Sequence, residues 1–240
     1  MVASKVRLYV EHPLASGQSC PLTRDQIHYL FDVMRFSQSD ELSVFNGRDG
    51  EFAAVADRTG RHSGTLSIQR WTRPLLRPPD LWLLFAPIKS ARTDFIVEKA
   101  AEMGAGRILP VRTRFTNSGR IRQKRLQRHV IEAVEQCGGT FVPEVCQLRS
   151  LDTVLADWVA DRQLLFCDEA LCGESGDFSS DKDGKWAILI GPEGGFSDDE
   201  RGRLTDLPFV HRVSLGPRVL RADTAAVAAM AIWQRIFGDW

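Results

Sequence analysis

A chain of 240 residues with 43% hydrophobic residues is long enough for one large or two small domains around a real core. Its 31 basic and 31 acidic residues cancel, which excludes a uniformly basic or acidic protein, and no apolar run approaches the ~18 residues of a membrane span. The start, Met1-Val-Ala-Ser-Lys5, lacks a signal-peptide apolar stretch; five cysteines without a CxxC pair read as free thiols of a reducing cytoplasm, and scattered histidines argue against a metal site.

The first part of the chain predicts short strands around one helix. Val6–Val10, Glu41–Phe45, Glu51–Ala56 and Thr65–Trp71 read as strands, with Asn46-Gly-Arg-Asp-Gly50 as a turn between two of them. Thr23 and Gln26 form a capping box, each side chain meeting a backbone donor of the other residue. Ile27, Leu30, Phe31 and Met34 follow at i, i+3, i+4 and i+7, one apolar helix face. These elements predict a small β-barrel-like domain over residues 1–73. Three prolines within residues 74–79 then favour an extended connector and a domain boundary.

From residue 80 strands and helices alternate. Leu81–Ala86 is a buried-type strand, Thr93–Met103 a helix stopped by Gly104, and Arg107–Val111 the next strand. Ile121–Cys137 is a long helix with Leu126, Val130, Ala133, Val134 and Cys137 on one face. Leu151–Val159 is helical, and Leu164–Cys167, Trp186–Ile190 and Phe209–Val213 are strands. Residues 173–185, rich in Gly, Ser and Asp, read as a mobile surface loop. This rhythm predicts a parallel α/β sheet over residues 74–240. The pattern alone implies an unknotted chain, and no GxGxxG follows the first strand, so the dinucleotide fingerprint is absent.

Charge is unevenly placed. Residues 107–128 hold eight basic residues and no acidic one. Arg112, Arg114, Arg120, Arg122, Lys124, Arg125 and Arg128 are therefore candidate phosphate contacts, with a solvated helix face as the alternative. Arg7, Arg24 and Arg35 extend this candidate surface into the first domain.

Two glycine turns carry the strongest chemical signal. The strand ending at Ile190 runs into Gly191-Pro-Glu-Gly-Gly195, then Ser197-Asp-Asp-Glu200, a second capping box. A strand, a turn of bare backbone and a helix read as a ligand-cradling loop at the carboxyl end of a strand, where open α/β sheets bind ligands, with a purely structural turn as the alternative. About a dozen residues on, Val213-Ser-Leu-Gly-Pro-Arg-Val-Leu220 turns again before an Ala-rich helix reaching Phe237. Phe196 stands where a phosphate loop needs Lys-Ser/Thr, so phosphate chemistry is disfavoured.

Together the segments Gly191–Glu200 and Leu215–Ala225 resemble the signature of the bacterial 16S rRNA (uracil-N3)-methyltransferases, members of the SPOUT superfamily. Lys89–Gly104, Ile131–Cys137, His28–Arg35 and Val44–Gly50 resemble further blocks of that family, so the likeness spans nearly the whole chain in order. It implies a C-terminal trefoil-knotted methyltransferase domain behind a PUA-like RNA-binding domain, and methylation of N3 of a uridine (the 1498-type position) in 16S rRNA of the small ribosomal subunit. It further implies a cytoplasmic homodimer without a metal, with the last helix, Thr224 to Phe237, as a candidate interface; burial within its own monomer is the alternative. A ribose 2′-O-methyltransferase of the same superfamily, or a non-catalytic RNA-binding protein that kept the fold, are the competing readings.

The resemblance places S-adenosylmethionine between the strand end Leu165-Phe166-Cys167 and the two turns. Leu165, Phe166, Ile190, Gly191, Glu193, Gly194, Gly195, Leu215, Gly216 and Leu220 are the implied contacts, the leucines sandwiching the adenine; ordinary core packing is the alternative for Leu215 and Leu220, turn-capping for Glu193. Uracil N3 is a poor nucleophile until it loses its proton. A cation near O2 or O4, or a carboxylate base, is therefore needed. Arg221 and Asp223, and Glu135 on the long helix, are the candidates; N-capping of the last helix is the alternative for Asp223. The target N3 edge is hidden in any base pair, so the nucleotide must be unpaired or extruded.

Overall fold

In the computed structural model, residues 6–37, 40–173 and 184–240 are described; the predicted loop at 173–185 lies outside them from 174 to 183. The chain divides into two compact units, residues 1–77 with 134–142, and residues 78–133 with 143–240.

The first unit is a mixed five-stranded sheet. Its strands are β1 (Arg7–Tyr9), β2 (Ser19–Pro21), β3 (Glu41–Phe45), β4 (Glu51–Gly60) and β5 (Ser63–Arg73), in the order β1-β3-β4-β5-β2. β1 runs parallel to β3 and the other pairs are antiparallel. Leu8, Leu42, Val44, Ala54, Leu66 and Ile68 form its core with Ile27 and Leu30 of the helical segment. The sequence pattern misses β2, whose Ser-Cys-Pro has no alternating apolar face to detect; only Cys20, opposite Leu66, is buried.

The capping box opens α1 (Arg24–Ile27) as predicted, the Gln26 amide donating to Thr23 Oγ1 at 3.2 Å. The helix then widens. From His28 to Val33 it is a π-helix, and the Met34 N–H donates five residues back to the Tyr29 carbonyl at 2.9 Å. The wider turn rotates later residues off the predicted face, so Ile27 and Leu30 are buried but Met34 is 42% exposed.

Glu51, nearly buried, accepts from Arg7 Nε (2.9 Å) and from Arg73 Nε (3.0 Å) and Nη2 (2.6 Å). Burial alone would raise its pKa; the hydrogen bonds from Arg73 and Arg7 prevail and lower it. Arg7 also donates to the carbonyls of Val134 (2.7 Å) and Gly139 (2.6 Å), and Arg73 to that of Gly138 (3.1 Å). These bonds gather residues 134–142 into this unit. Arg7 is thus a structural tie rather than the RNA contact expected, whereas Arg24 and Arg35 are exposed.

The second unit holds β6 (Leu81–Phe85), α2 (Ser90–Glu102), β7 (Arg107–Arg112), most of the long helix α3 (Gln123–Cys137), β8 (Glu144–Val145), β9 (Arg149–Ser150), α4 (Leu151–Ala156), β10 (Arg162–Cys167), β11 (Lys185–Ile190), α5 (Asp198–Thr205), β12 (Val210–Val213) and α6 (Ala222–Phe237). On α3, Leu126, Val130, Ala133 and Val134 are buried, but Cys137, expected on the same face, is exposed in the last turn. The sheet order is β12-β10-β11-β6-β7-β8, every pair parallel, with β9 also beside β7. Strands β6, β10 and β11 read as near-continuous apolar runs because both their faces are covered. Leu84, Leu109, Leu164, Phe166 and Leu189 pack with Phe196 and Leu204. α6 packs on α2 and on β11, burying Ala226, Ala229, Met230 and Trp233 within its own unit. Buried Gln234 ties its end to α2, donating to the Met103 carbonyl at 2.6 Å.

Leu189 is fully buried in β11, between β10 and β6. Leu189→Ala is expected to lower the unfolding free energy by about 2–5 kcal/mol, read as a lower denaturant midpoint with an unchanged slope.

Candidate functional site

The carboxyl ends of β10, β11 and β12 lie side by side, and the three segments leaving them enclose a cleft of about 590 Å³, open to solvent on one side. Cys167 to Glu169 follow β10, Ile190 to Glu193 with Gly195 follow β11, and Ser214 to Leu220 follow β12. Ala222 and Ala225 of α6 complete the lining.

The turn after β11 is held from both sides. Phe196 is buried and meets the Phe166 ring edge-on at 4.8 Å. The Phe196 ring occupies the space beside Gly191, where an added Cβ would lie 2.6 Å from it. On the other side, Glu169 Oε1 accepts the Phe196 N–H at 3.2 Å and Arg201 Nη2 at 2.7 Å. Gly195 has φ +67°, and a Cβ there would fall 2.1 Å from Glu169 Oε1. Only glycine fits both the backbone and the carboxylate. The second capping box then starts α5: Glu200 Oε2 accepts the Ser197 N–H at 3.0 Å while its Oε1 takes the Arg114 N–H at 2.8 Å.

Beneath the cleft Asp168 has no exposed side-chain surface. Its Oδ1 accepts from the Ala170 N–H (3.0 Å) and Arg201 Nε (3.1 Å), and its Oδ2 from Arg212 Nη2 (2.6 Å). Burial pushes its pKa up, but the Ala170, Arg212 and Arg201 hydrogen bonds outweigh it and hold the carboxyl below its usual range. The neighbouring Cys167 thiol has no such partners, and burial pushes it up to about 12, so this lining group is neutral.

Of the implied cofactor contacts, Ile190, Gly191, Glu193, Gly195, Leu215, Gly216 and Leu220 line the cleft together. Leu165 and Phe166 do not: their side chains are buried inside the sheet, and Cys167 is the strand-end residue that reaches the cleft. Gly194 is outside the lining too, against Phe115. Leu215 and Leu220 are half-buried rather than core.

The catalytic candidates separate. Arg221 is the N-cap of α6, exposed, without a side-chain hydrogen bond or ion pair among the described residues. Asp223 is therefore not the N-cap; it sits in the first turn, where its Oδ1 accepts the Thr224 N–H at 3.0 Å. Glu135 is not in the cleft lining: it belongs to the first unit, where its Oε1 accepts the Tyr9 N–H at 2.7 Å. Sequence reasoning passed over Asp168 and Glu169, although the first residues beyond a parallel strand are the expected place for a site. It also passed over Arg92, in the first turn of α2, which lies 3.7 Å from Glu193 Oε1 and 3.7 Å from Asp223 Oδ2. No local pattern marks it, since three distant segments meet there.

The basic segment is mostly surface. Arg112, Arg114, Arg120, Arg122, Lys124 and Arg128 are exposed. Arg125 differs: it is half-buried and holds Asp94 at 2.7 Å and Ser90 Oγ at 2.6 Å. Arg120 and Arg122 line a concavity with Ser90, Thr93 and Ser118, whereas Arg112 and Arg114 face α5.

Comparison with known proteins agrees with this geometry. Residues 76–234 match the family described as the RNA methyltransferase domain, and residues 22–67 match the RNA methyltransferase PUA domain. The ribosomal RNA small subunit methyltransferase E of Rickettsia conorii is 30% identical over 229 residues, 94% of this chain and 93% of that protein. The protein of the same name in Mycobacterium tuberculosis is 28% identical, covering 97% and 92%. A methyltransferase structure from Legionella pneumophila, with bound SAM, superposes with a TM-score of 0.89 at 28% identity over 99% of this chain and 100% of that one. The small subunit methyltransferase E of Neisseria gonorrhoeae, bound to S-adenosyl methionine, gives 0.87 at 25% identity over 98% and 99%.

Asp168 has a depressed pKa in the folded chain, so its contribution to stability is complete above the ordinary carboxylate value of about 3.9 and is lost as pH falls through the lower folded value. Asp168→Asn is expected to cost about 3–5 kcal/mol near neutral pH, because Arg201 and Arg212 are left without their buried charge partner. Urea unfolding of both proteins at a series of pH values should show the gap closing below about pH 4; a pH-independent gap contradicts an ionised Asp168.

Proposed function

Because the chain belongs to the RNA methyltransferase family, we propose that it transfers a methyl group from S-adenosylmethionine to N3 of a uridine in 16S rRNA of the small ribosomal subunit. The observation that carries this reading is the cleft at the carboxyl ends of β10, β11 and β12, built from the two glycine turns of the matched domain. S-adenosylmethionine supplies an activated methyl on its sulfonium sulfur.

The lining suits that molecule. Backbone of Ile190 to Glu193, of Gly195 and of Ser214 to Gly216 lines the cleft, Leu215 and Leu220 offer apolar faces to a purine, and Glu193 offers a carboxylate to a cation. Gly216, with φ +113° and open space where a Cβ would stand, is where a ligand can approach bare backbone. At the floor the arginines Arg201 and Arg212 are neutralised by buried Asp168 rather than left to a polyphosphate.

Asp223 and Arg221 then face the incoming base. Asp223 takes the N3 proton, and unpartnered Arg221 supplies positive charge beside it. Placing the ring correctly supplies much of the catalysis, on the order of 7–11 kcal/mol. Exposed Arg112, Arg114, Arg120, Arg122, Lys124 and Arg128 hold RNA phosphates, and the PUA domain, residues 1–73 in this division, adds RNA surface. The return of the chain from edge strand β12 to α6 on β11, past the turn leaving β11, supports a trefoil knot. The protein acts in the cytoplasm, where the small subunit is assembled, as a homodimer that uses the face of α6 left half-buried at Ala228, Ala231 and Ile232.

Wild-type protein, incubated with S-adenosylmethionine and small subunits lacking the modification, should place one methyl on uridine N3, located by mass mapping of the digested RNA. Gly195→Val should stay folded yet lose calorimetric cofactor binding and methyl transfer, since its side chain would collide with Glu169. A methyl on ribose, or undiminished cofactor affinity in the mutant, overturns the assignment.

Reversing Arg120, Arg122 and Lys124 to Glu should weaken small-subunit binding and spare cofactor affinity. The slope of log K against log salt should flatten by roughly 0.7–0.9 for each phosphate that is no longer neutralised. An unchanged slope would leave this face merely solvated. Arg125 is kept, because its removal would unpair Asp94.

A further inference from the structure

We propose that Arg92 is a catalytic residue whose guanidinium donates to a carbonyl oxygen of the target uracil, beside the N3 atom that takes the methyl group; this rests on the N3-uridine reading above.

Arg92 projects from the first turn of α2 to the mouth of the cleft, 31% exposed. There it stands between two carboxylates, Glu193 on the turn after β11 and Asp223 in the first turn of α6, each 3.7 Å away. Both distances exceed hydrogen-bond reach, and the guanidinium makes no hydrogen bond among the described residues. Other arginines of this unit are committed: Arg125 bonds Asp94 at 2.7 Å, Arg162 bonds Asp80 at 2.8 Å and Arg212 bonds Asp168 at 2.6 Å. Arg92 is held at a site of negative charge with its donors available.

The neighbouring charges say what kind of group suits those donors. Among the described residues, Arg218 on the cleft rim and Arg221 at the start of α6 are exposed, and Glu169 and Asp168 line the cleft. A resting phosphate at Arg92 would meet Glu193 and Asp223 at once and be repelled. A neutral ring that gains one negative charge only during reaction would not. The uracil imide edge reads acceptor, donor, acceptor across O2, N3–H and O4. Arg92 beside Asp223 presents a donor next to an acceptor, the complement of half that edge. Negative charge on the deprotonated ring is shared between O2 and O4, and the second oxygen is open to Arg221.

The step balances with these groups. The N3–H bond breaks, the proton passes to the Asp223 carboxylate and the electron pair stays on the ring, its charge spread over O2 and O4 where Arg92 meets it. That pair forms the N3–methyl bond as the methyl–sulfur bond breaks, its electrons neutralising the sulfonium; Asp223 then releases the proton to solvent. A preorganised donor at a developing oxyanion lowers the barrier without stabilising the neutral ground state as much.

The test compares wild type, Arg92→Gln and Arg92→Lys. Single-turnover methyl transfer to unmodified small subunits is measured across pH with cofactor saturating, and cofactor affinity is measured separately by calorimetry. Arg92→Gln is expected to slow transfer about a hundredfold or more near neutral pH with cofactor affinity little changed. The deficit should narrow as pH rises and N3 loses its proton to solvent base, and Arg92→Lys should recover a large part of the rate. A near-wild-type rate for Arg92→Gln overturns the proposal. So does a loss that is equal at every pH and matched by weaker cofactor binding, which would make Arg92 a strut between Glu193 and Asp223. Wild-type protein that places no methyl on N3 would instead overturn the underlying reading, and the role of Arg92 with it.

Discussion

The cleft depends on how one turn is clamped. The chain leaves the sheet at Ile190 and enters α5 at Asp198, and between them Phe196 is sunk into the core while its own N–H is taken by Glu169. The side chain is held by packing and the backbone by a carboxylate. Neither hold is compatible with a Cβ at Gly191 or Gly195, where the ring and the carboxylate occupy the space. The glycines therefore answer to these two neighbours as much as to any ligand. Arg201 extends the clamp, joining Glu169 to Asp168 and so linking the turn after β11 to the end of β10.

Charge is divided between structural and available groups. Net charge is zero, yet several arginines are tied to buried carboxylates: Arg7 and Arg73 to Glu51, Arg201 and Arg212 to Asp168. Each of these carboxylates has its pKa held down against the opposing effect of burial. Removing one partner from such a pair is costly because the remaining charge is stranded. Arginines without tight partners include Arg218 and Arg221 near the cleft mouth and Arg112, Arg114, Arg120, Arg122 and Arg128 on the basic segment. Substrate contacts need that freedom, since a guanidinium already bonded to a carboxylate has fewer donors to offer an incoming base or phosphate.

The interior of the cleft is quieter. A neutral thiol at Cys167, half-buried leucines and backbone groups form most of its wall, with Glu193 at the rim. Such a wall binds a mostly apolar, singly cationic molecule better than a polyanion. Charged groups stand at the opening, where α2 and α6 bring Arg92 within 3.7 Å of Asp223; under the proposed mechanism, binding and proton removal fall to different segments.

Much of this was readable along the chain. Both capping boxes and the alternating strands and helices are local features, determined within a few residues by backbone hydrogen bonding and side-chain spacing. Gly191 to Gly195 and Leu215 to Leu220 were recognisable for the same reason: a turn of bare backbone declares itself in consecutive residues. Other features were decided only by the fold. The π-turn that turns Met34 outward depends on how Ile27 and Leu30 seat on the sheet, and a 3.6-residue period cannot foresee it. Whether Phe166 or Cys167 reaches the cleft depends on where β10 stops, and side chains alternate faces with each residue. Glu135 was a further base candidate along the chain; only the fold shows its carboxylate accepting the N–H of Tyr9, 126 residues away, in the first unit. Arg92 lies within the Lys89–Gly104 block that resembles the family, but nothing local singles it out, because its meaning comes from Glu193 and Asp223, more than 100 residues further along. Local sequence determines elements and turns through short-range hydrogen bonds; which charges meet, Arg92 with Glu193 and Asp223 among them, is settled by long-range packing.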